Sequence, residues 1–424
     1  MSPATELSAS TGEISHRWPY FLPDGRHFLF QTFKSANRVA VSVGSIDSLD
    51  SQKLLDADSN AVYAEQGGQG YVLFLRGSSL MAQAFDATQL RATGEAVMVA
   101  DPVQESPITA GGSFSASANG VLAYSGGSPL KSQLVWFDRR GVQSSVGDPA
   151  EFYRLNLSPD GTVALASETD QSHNLDLWLY DTKRGSRTRF TSNPATESTG
   201  IWSPDARSVV FHSNRNGHFD LYRKATDGTG PEELLYADQT QKYPQSWSPD
   251  GRFLVYAALA DGRSDYDLWI LPGPLGKQSV SKPFPFLHSE FDENQGQFSP
   301  DGKWIAYQSN ESGRDEIYAT PFPGPGARKQ ISTGGGVDPR WSRNGKEIFY
   351  LTTTNRFGKL MAVDIVAKGS VLDVGEARTL FGPVRIRDYD VSPDGQHFLA
   401  LVRPEDSANE PLTVVQNWPS LLKK

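Results

Sequence analysis

The sequence predicts an all-β protein, a β-propeller of four-stranded antiparallel blades, and three observations carry the prediction. A turn phrase of the type Ser-Pro-Asp-Gly recurs along the whole 424-residue chain. Its steps run between 41 and 51 residues, a period shared by four-stranded blades and paired-helix repeats. The units between turns are rich in Val, Ile, Phe, Tyr, Trp and Thr and are broken by Gly and Pro every few residues. Nowhere do they sustain apolar residues at i, i+3, i+4 and i+7 for three turns, so strands win over helices.

In chain order the copies are "YFLPDGRHFLF" (20–30), the weak "GGQGYVLF" (67–74), the degenerate "SASANGVLAY" (115–124), "NLSPDGTVALA" (156–166), "IWSPDARSVVF" (201–211), "SWSPDGRFLVY" (246–256), "QFSPDGKWIAY" (297–307), "RWSRNGKEIFY" (340–350) and "DVSPDGQHFLA" (390–400). That makes about nine units. In the sixth, "YPQSWS" is the first strand, Pro249-Asp250-Gly251 the hairpin turn, "RFLVYAAL" the second strand, "YDLWILP" the third and "KPFPFL" the fourth. Pro presets the first central turn position, Asp bonds its own backbone and Gly accepts positive φ. Third strands recur as "LDLWLYD", "FDLYRKA" and "DEIYATP". Four short strands expose two apolar faces, and radial stacking of such units buries both. The aromatic before each turn (Trp202, Trp247, Phe298, Trp341) is expected to wedge between blades. Asp176, Asp220, Asp267 and Glu316 recur at one blade position, which points to a structural anchor for each hairpin rather than to one shared ligand.

The length exceeds one ordinary core of about 100–200 residues. From Leu155 onward six units are strong, whereas the three before residue 130 are irregular. The expectation is a partial propeller of about three blades over 1–130 and a six-bladed ring over 131–424, with one large ring as the alternative. The last unit reads as Tyr389 to Ser392, then "HFLALV", then "LTVVQNW" (412–418) as its third strand. A fourth strand must come from elsewhere: "GVQSSVG" (141–147) closes a six-bladed ring, and "TELSAS" (5–10) closes a single large one.

A net charge of -9 with dispersed Lys and Arg argues against nucleic acid and against a polybasic membrane patch. Zero cysteines exclude disulfides, thiolate metal sites and a cysteine nucleophile. No export signal and no apolar run of about 18 residues is present, so a soluble chain without membrane insertion is expected. Gly-x-Ser-x-Gly, the phosphate-binding Gly-x4-Gly-Lys-Ser/Thr loop and His-Glu-x-x-His are all absent. The pair His212 and His218 lies on a polar hairpin, and "GGG" (334–336) leads into a strand rather than a helix, so neither metal nor phosphate is expected. No catalytic residue, metal or cofactor is assigned.

The "SPDGRFLVY" and "SPDGKWIAY" units with "SNRNG" and "SNESG" hairpins resemble the TolB-like, WD-like propeller repeats of bacteria. A longer similarity runs through "SHRWPYFLPDGRHFLF", "LLDADSNAVYA", "KPFPFLHSEFDENQGQFSPDGKWIAYQSNESGRDEIYATPFPGPG" and "LTVVQNWPSLLKK". It resembles the C-terminal propeller region of acidobacterial-type serine/threonine protein kinases. In that family a kinase and a membrane span precede the propeller; the resemblance implies a sensor or interaction module on the extracytoplasmic side of a bacterial inner membrane. The kinase's glycine-rich loop, His-Arg-Asp and Asp-Phe-Gly are not in this chain.

Residues that differ between blades at matched positions are the better site candidates. Two before the turn Ser stand Asn156, Ile201, Ser246, Gln297, Arg340 and Asp390; four before it stand Arg154, Thr199, Pro244, Gln295, Asp338 and Asp388. Glu197, Asp292 and Glu293 lie just upstream. Charged and amide groups converging on a channel mouth suit a small polar ligand or a peptide tail of a protein partner. The expected mouth is Arg154, Glu197, Gln295, Gln297, Asp338, Arg340, Asp388 and Asp390. The first reading is a non-catalytic sensing or docking propeller. The others are a hydrolase propeller of peptidase, glycosidase or lyase type and a TolB-like envelope scaffold.

Overall fold

Each repeat turn is built by its serine. Ser248 Oγ donates to Asp250 Oδ1 at 2.6 Å and accepts the Phe253 N–H at 2.9 Å, while Gly251, at φ +70°, donates its N–H to Ser248 O at 2.9 Å. Ser158, Ser203, Ser299, Ser342 and Ser392 form the same pair of hydroxyl bonds, to Asp160, Asp205, Asp301, Asn344 and Asp394 and from the N–H five residues on. Side chain and backbone thus fix one hairpin geometry six times. Ala206 holds the glycine place in the second of these turns at φ +58°.

The computed structural model describes residues 3–8, 13–34, 39–106, 111–126, 131–170, 174–228, 230–259, 265–273, 282–324, 326–352, 357–369, 371–403 and 412–423. Among them there is no α-helix, and every multistranded sheet is antiparallel. The chain forms two compact units: Met1–Leu130 with Gln171–Asn174 and Asp406–Lys424, and Lys131–Asp170 with Leu175–Glu405.

The second unit holds six four-stranded sheets. Sheet 1 is Phe152–Leu157, Val163–Thr169, Leu175–Asp181 and Arg187–Arg189; sheet 2 is Glu197–Trp202, Ser208–Ser213, Asp220–Ala225 and Glu233–Tyr236. Sheet 3 is Gln241–Trp247, Phe253–Leu259, Asp267–Pro272 and Phe284–Leu287; sheet 4 is Glu293–Phe298, Trp304–Ser309, Glu316–Pro321 and Lys329–Gln330. Sheet 5 is Val337–Trp341, Glu347–Leu351, Gly358–Lys368 and Val371–Val384. Sheet 6 joins Ile386–Val391 and His397–Val402 to Ser132–Asp138 and Gln143–Ala150. First strands lie beside one another in this order, and that of sheet 6 lies beside that of sheet 1, so the cycle closes.

One apolar cluster lies in each of the six junctions. The two-residue strand period produces them. In Phe253–Leu259, Leu254, Tyr256 and Ala258 face sheet 2, and Val255 and Ala257 face sheet 4. Fully burying a Leu, Ile or Val contributes about 1.5–3 kcal/mol, so both faces of every sheet are needed. Trp247 (7 % exposed) and Phe298 lie in these clusters, and the Trp202 and Trp341 indoles pack against theirs. Trp202 Nε1 and Trp341 Nε1 each donate at 3.2 Å across the junction, to Asn156 O and Gln297 O.

The closing sheet corrects the sequence reading of its third strand. Ser132–Asp138 takes that place, with Val135 opposite Ala400, and Gln143–Ala150 is the fourth strand. The stretch 412–418 goes elsewhere: Leu412–Gln416 pairs with Val121–Ser125 in the first unit. A third strand between two sheets must bury both faces. Leu134, Val135 and Phe137 do so, whereas Leu412 and Val414 remain 69 % and 59 % exposed where they pair. Of "TELSAS", residues 9 and 10 lie outside the described residues and 5–8 form no strand.

The first unit has two four-stranded sheets, Glu13–Phe21, His27–Lys34, Val39–Ser45, Ser48–Asp56 and Val62–Gln66, Gln69–Arg76, Ser79–Asp86, Arg91–Ala100. A three-stranded sheet of Phe114–Ala116, Val121–Ser125 and Leu412–Gln416 and a small ribbon of Glu105–Ser106 with Gly111–Gly112 complete its described strands. The 3-10 turn Trp418–Lys423 plugs Trp418, 0 % exposed, into the core with Leu73, Leu75 and Leu122.

Candidate functional site

Every first strand of the six-sheet unit carries a register shift a few residues before its turn, at Phe152/Arg154, Ser198/Ile201, Pro244/Ser246, Asn294/Gln297, Val337/Arg340 and Ile386/Asp388. Such bulges re-aim side chains. Thr199, Gln295 and Asp338 sit at three of them with φ of +50°, +56° and +53°, a backbone region that costs a non-glycine residue on the order of 1–3 kcal/mol. The strain is held where the strands converge on a cavity of about 100 Å³ lined by Arg154, Gln295, Gln297, Arg340 and Asp388 together with Tyr153, Tyr243, Gln245 and Tyr266.

Much of this polar lining stitches neighbouring first strands. Asp388 Oδ2 accepts the Leu155 N–H at 2.9 Å; Asp390 Oδ2 accepts the Leu157 N–H at 2.8 Å and the Asn156 amide at 3.0 Å. Asn156 Oδ1 accepts the Trp202 N–H at 3.2 Å, Ser246 Oγ the Phe298 N–H at 3.0 Å, and Gln245 Oε1 the Gly296 N–H. Gln297 donates to Gln245 O at 3.2 Å. Arg340 donates to Pro339 O at 2.9 Å and lies 3.5 Å from Asp388 and 3.8 Å from Asp390.

Arg154 stands apart. Its guanidinium lies 3.7 Å from Asp338 and 4.0 Å from Asp388, is 31 % exposed, and makes no hydrogen bond to the described residues. Burial works against its charge, and Asp388 and Asp338 more than offset it. Burial pushes the Asp338 carboxyl up, against the downward pull of Arg154. Arg387, over the Tyr153 ring at 4.9 Å, is lowered to about 10 by burial and by Arg403. Gln295 also has its side chain free of partners among the described residues, its N–H being bonded to Asn294 Oδ1 at 2.8 Å.

The structure brings Arg154, Asp338, Arg340, Asp388 and Asp390 together and places Gln295 and Gln297 on the same cavity. It does not bring Glu197 there. Six residues ahead of its turn Ser203, Glu197 is fully buried against Arg215, which also binds Glu232 at 2.6 Å. Tyr153, Tyr243, Gln245, Asn294 and Tyr266 line the cavity without having been singled out; the bulge puts positions three and five before the serine on it as well.

The repeated carboxylates are each engaged by neighbours: Asp176 by Arg189, Asp220 by Lys242 at 3.1 Å, and Asp267 by His288 at 2.8 Å. Glu316 Oε1 accepts the Gly334 and Gly335 N–H groups at 2.8 Å, so the glycine nest holds a carboxylate of its own chain. His212 packs between Phe219 and Tyr243 at 4.6 and 5.0 Å and, lowered to about 3 by burial, is neutral. Among the described residues no group of three or more His, Cys, Asp or Glu could hold a metal, and no helix is long and apolar enough to cross a membrane.

Residues 147–268 match the family described as the TolB beta propeller domain. An uncharacterized peptidase of Bacillus subtilis, YuxL, is 27% identical over 207 residues, 41% of this chain; the chain thus spans only 30% of that relative. An uncharacterized protein of Agrobacterium fabrum is 23% identical over 280 residues, 64% of this chain and 92% of its own length. A solved structure from Agrobacterium tumefaciens, described as a candidate TolB, superimposes with a TM-score of 0.53 at 22% identity over 65% of this chain and 99% of its own. With the all-strand architecture and its four-stranded sheets, these matches show a β-propeller fold whose residues 147–268 are similar to the TolB beta propeller domain.

Proposed function

We propose that the six-sheet unit is a non-catalytic ligand-binding propeller whose channel mouth takes a carboxylate-bearing polar ligand, either a small molecule or the tail of a protein partner. One observation carries the reading: Arg154 presents a guanidinium with no hydrogen bond to the described residues on a wall where Asp388, Asp390, Asn156 and Gln245 are all engaged. Guanidinium matches a carboxylate with two parallel bonds. The ring of Tyr153 lies beside it at 5.7 Å, and Gln295 lines the same cavity. In this reading the ring, with the partial N-terminal propeller, is the sensor part of a bacterial signalling protein outside the cytoplasm, in keeping with its resemblance to the kinase-linked propellers. The test is a calorimetric screen of dicarboxylates and of peptides with free C-termini. Arg154→Ala, which leaves Asp338 and Asp388 without its charge, should lose about tenfold or more in affinity when measured below its own melting temperature, a change of about 1.4 kcal/mol. No saturable ligand, or one indifferent to Arg154→Ala, defeats the proposal. The sequence encoded immediately upstream of Met1 tests the kinase association.

A second reading rests on the similarity to the Bacillus peptidase. The propeller would then gate or carry a hydrolase. Turnover of a peptide or glycan panel that is abolished by Asp338→Ala with Asp388→Ala supports it; a silent panel removes it.

A further inference from the structure

Around the turn face of the six-sheet unit, one position at the end of the third strand is equivalent from sheet to sheet: it follows the strand in sheets 1 to 4 and lies within it, as Ile365, in sheet 5. One backbone bond fixes the equivalence: Thr182, Thr226, Gly273, Phe322 and Ile365 donate their N–H to the carbonyls of Thr162, Arg207, Arg252, Lys303 and Lys346, at 3.0, 3.0, 2.8, 2.8 and 2.7 Å. Each acceptor immediately precedes a second strand.

What this residue does at its junction differs. Between sheets 3 and 4, the Phe322 ring stands edge-on to Phe298 at 4.9 Å and to Phe253 at 5.1 Å and fills the gap. Between sheets 5 and 6, Arg139 spans the gap to Glu347 at 2.6 Å. Between sheets 4 and 5 the residue is Ile365, shorter than phenylalanine, and the gap stays open. A cavity of about 750 Å³ lies there, lined by Trp304, Trp341, Ile365 and Val366, with Asn344, Lys346 and the carboxylates of Asp301 and Asp364 as polar neighbours. Trp341 and Trp304 occupy the places of Phe298 and Phe253: Trp304 pairs across with Pro321 as Phe253 does with Pro272. Trp304 is 2 % exposed, and its indole N–H, unlike that of Trp341, donates to none of the described residues.

We propose that the cleft between sheets 4 and 5 receives an aromatic side chain presented by a partner polypeptide, in the place that Phe322 fills within the chain one junction earlier. Two indoles favour a ring packed edge-to-face over an aliphatic group of equal volume. The volume lies within the range of about 300–1,000 Å³ typical of ligand sites and exceeds one ring, leaving room for the backbone that carries it. Asn344 and Lys346 can then bond that backbone, and the Trp304 N–H a phenolic oxygen or carbonyl.

The probe is N-acetyl-L-tyrosinamide, followed by calorimetry and by tryptophan emission of the full chain, with phenol and cyclohexanol as comparisons. Saturable binding is expected, about tenfold or more tighter than for either comparison. Ile365→Phe supplies the ring from within and should lower affinity about tenfold or more while leaving the melting temperature equal or higher. If that variant does not fold, Val366→Trp, at a site 53 % exposed, covers the cleft from outside and should have the same effect. Absence of saturable binding, equal affinity for cyclohexanol, or binding unchanged in the folded variant overturns the proposal. Phenol binding as tightly as the amide overturns the assignment to a polypeptide.

Discussion

At the scale of single residues, the buried carboxylate of Glu197 makes stability depend on pH. Burial, and then the charge of Glu232, raise it from 4.5 to about 7. The folded chain therefore holds a proton that the unfolded chain releases near 4.5, and stability falls as pH rises through that window. His212 works in the opposite direction. Burial and Arg154 lower it from 6.5 to about 3, so the unfolded chain binds the extra proton and stability rises with pH up to 6.5. Below 6.5 the two oppose each other; above it Glu197 acts without His212. The melting temperature should thus drop between about pH 6.5 and 8, and Glu197→Gln, which keeps Arg215 paired with Glu232, should flatten the drop. Scanning calorimetry at those two values checks it, and an undiminished drop in the variant contradicts the assignment.

At the scale of strands and turns, the hairpin depends on a hydroxyl. Ser248→Ala strands the Phe253 N–H and releases Asp250, which should cost about 1–3 kcal/mol, whereas Ser248→Thr should recover part of it. Urea unfolding of the three proteins measures the difference. These turns were legible in the sequence because each of their residues has a local chemical reason to be there. The same locality hid the partner of His397–Val402: "LTVVQNW" follows it in the chain and reads as a third strand, and only the two-sided burial of Leu134, Val135 and Phe137 shows that 132–138 takes the place. The cavity was legible in part for a related reason. A strict alternation back from the serine finds Arg154, Gln295, Gln297, Arg340 and Asp388, but the bulges break the alternation and bring in Tyr153, Tyr243 and Gln245. Glu197 was misplaced because charge near a first strand says nothing about which side of the bulge it lies on.

At the scale of the molecule, closure of the six-sheet cycle rests on pairing between segments far apart in sequence. Val135 lies opposite Ala400 in the closing sheet, and the chain has no cysteine of its own. Val135→Cys with Ala400→Cys is therefore expected to form one unambiguous bond, and in the chain-entropy picture it adds up to about 5 kcal/mol. The oxidised protein should melt well above its reduced form. Equal melting temperatures would show that opening of this sheet does not precede unfolding.

The mixed origin of that sheet also sets a timetable for synthesis. Ser132–Asp138 leaves the ribosome long before His397–Val402, the strand that covers its apolar edge. At about 5–20 residues per second the wait is roughly 15 to 50 s. Leu412–Gln416 and Trp418, which complete a sheet and a core of the first unit, arrive later still. Both units thus depend on residues 397–418, so a chain that stops short of them would leave two open edges exposed to chaperones and proteases at once.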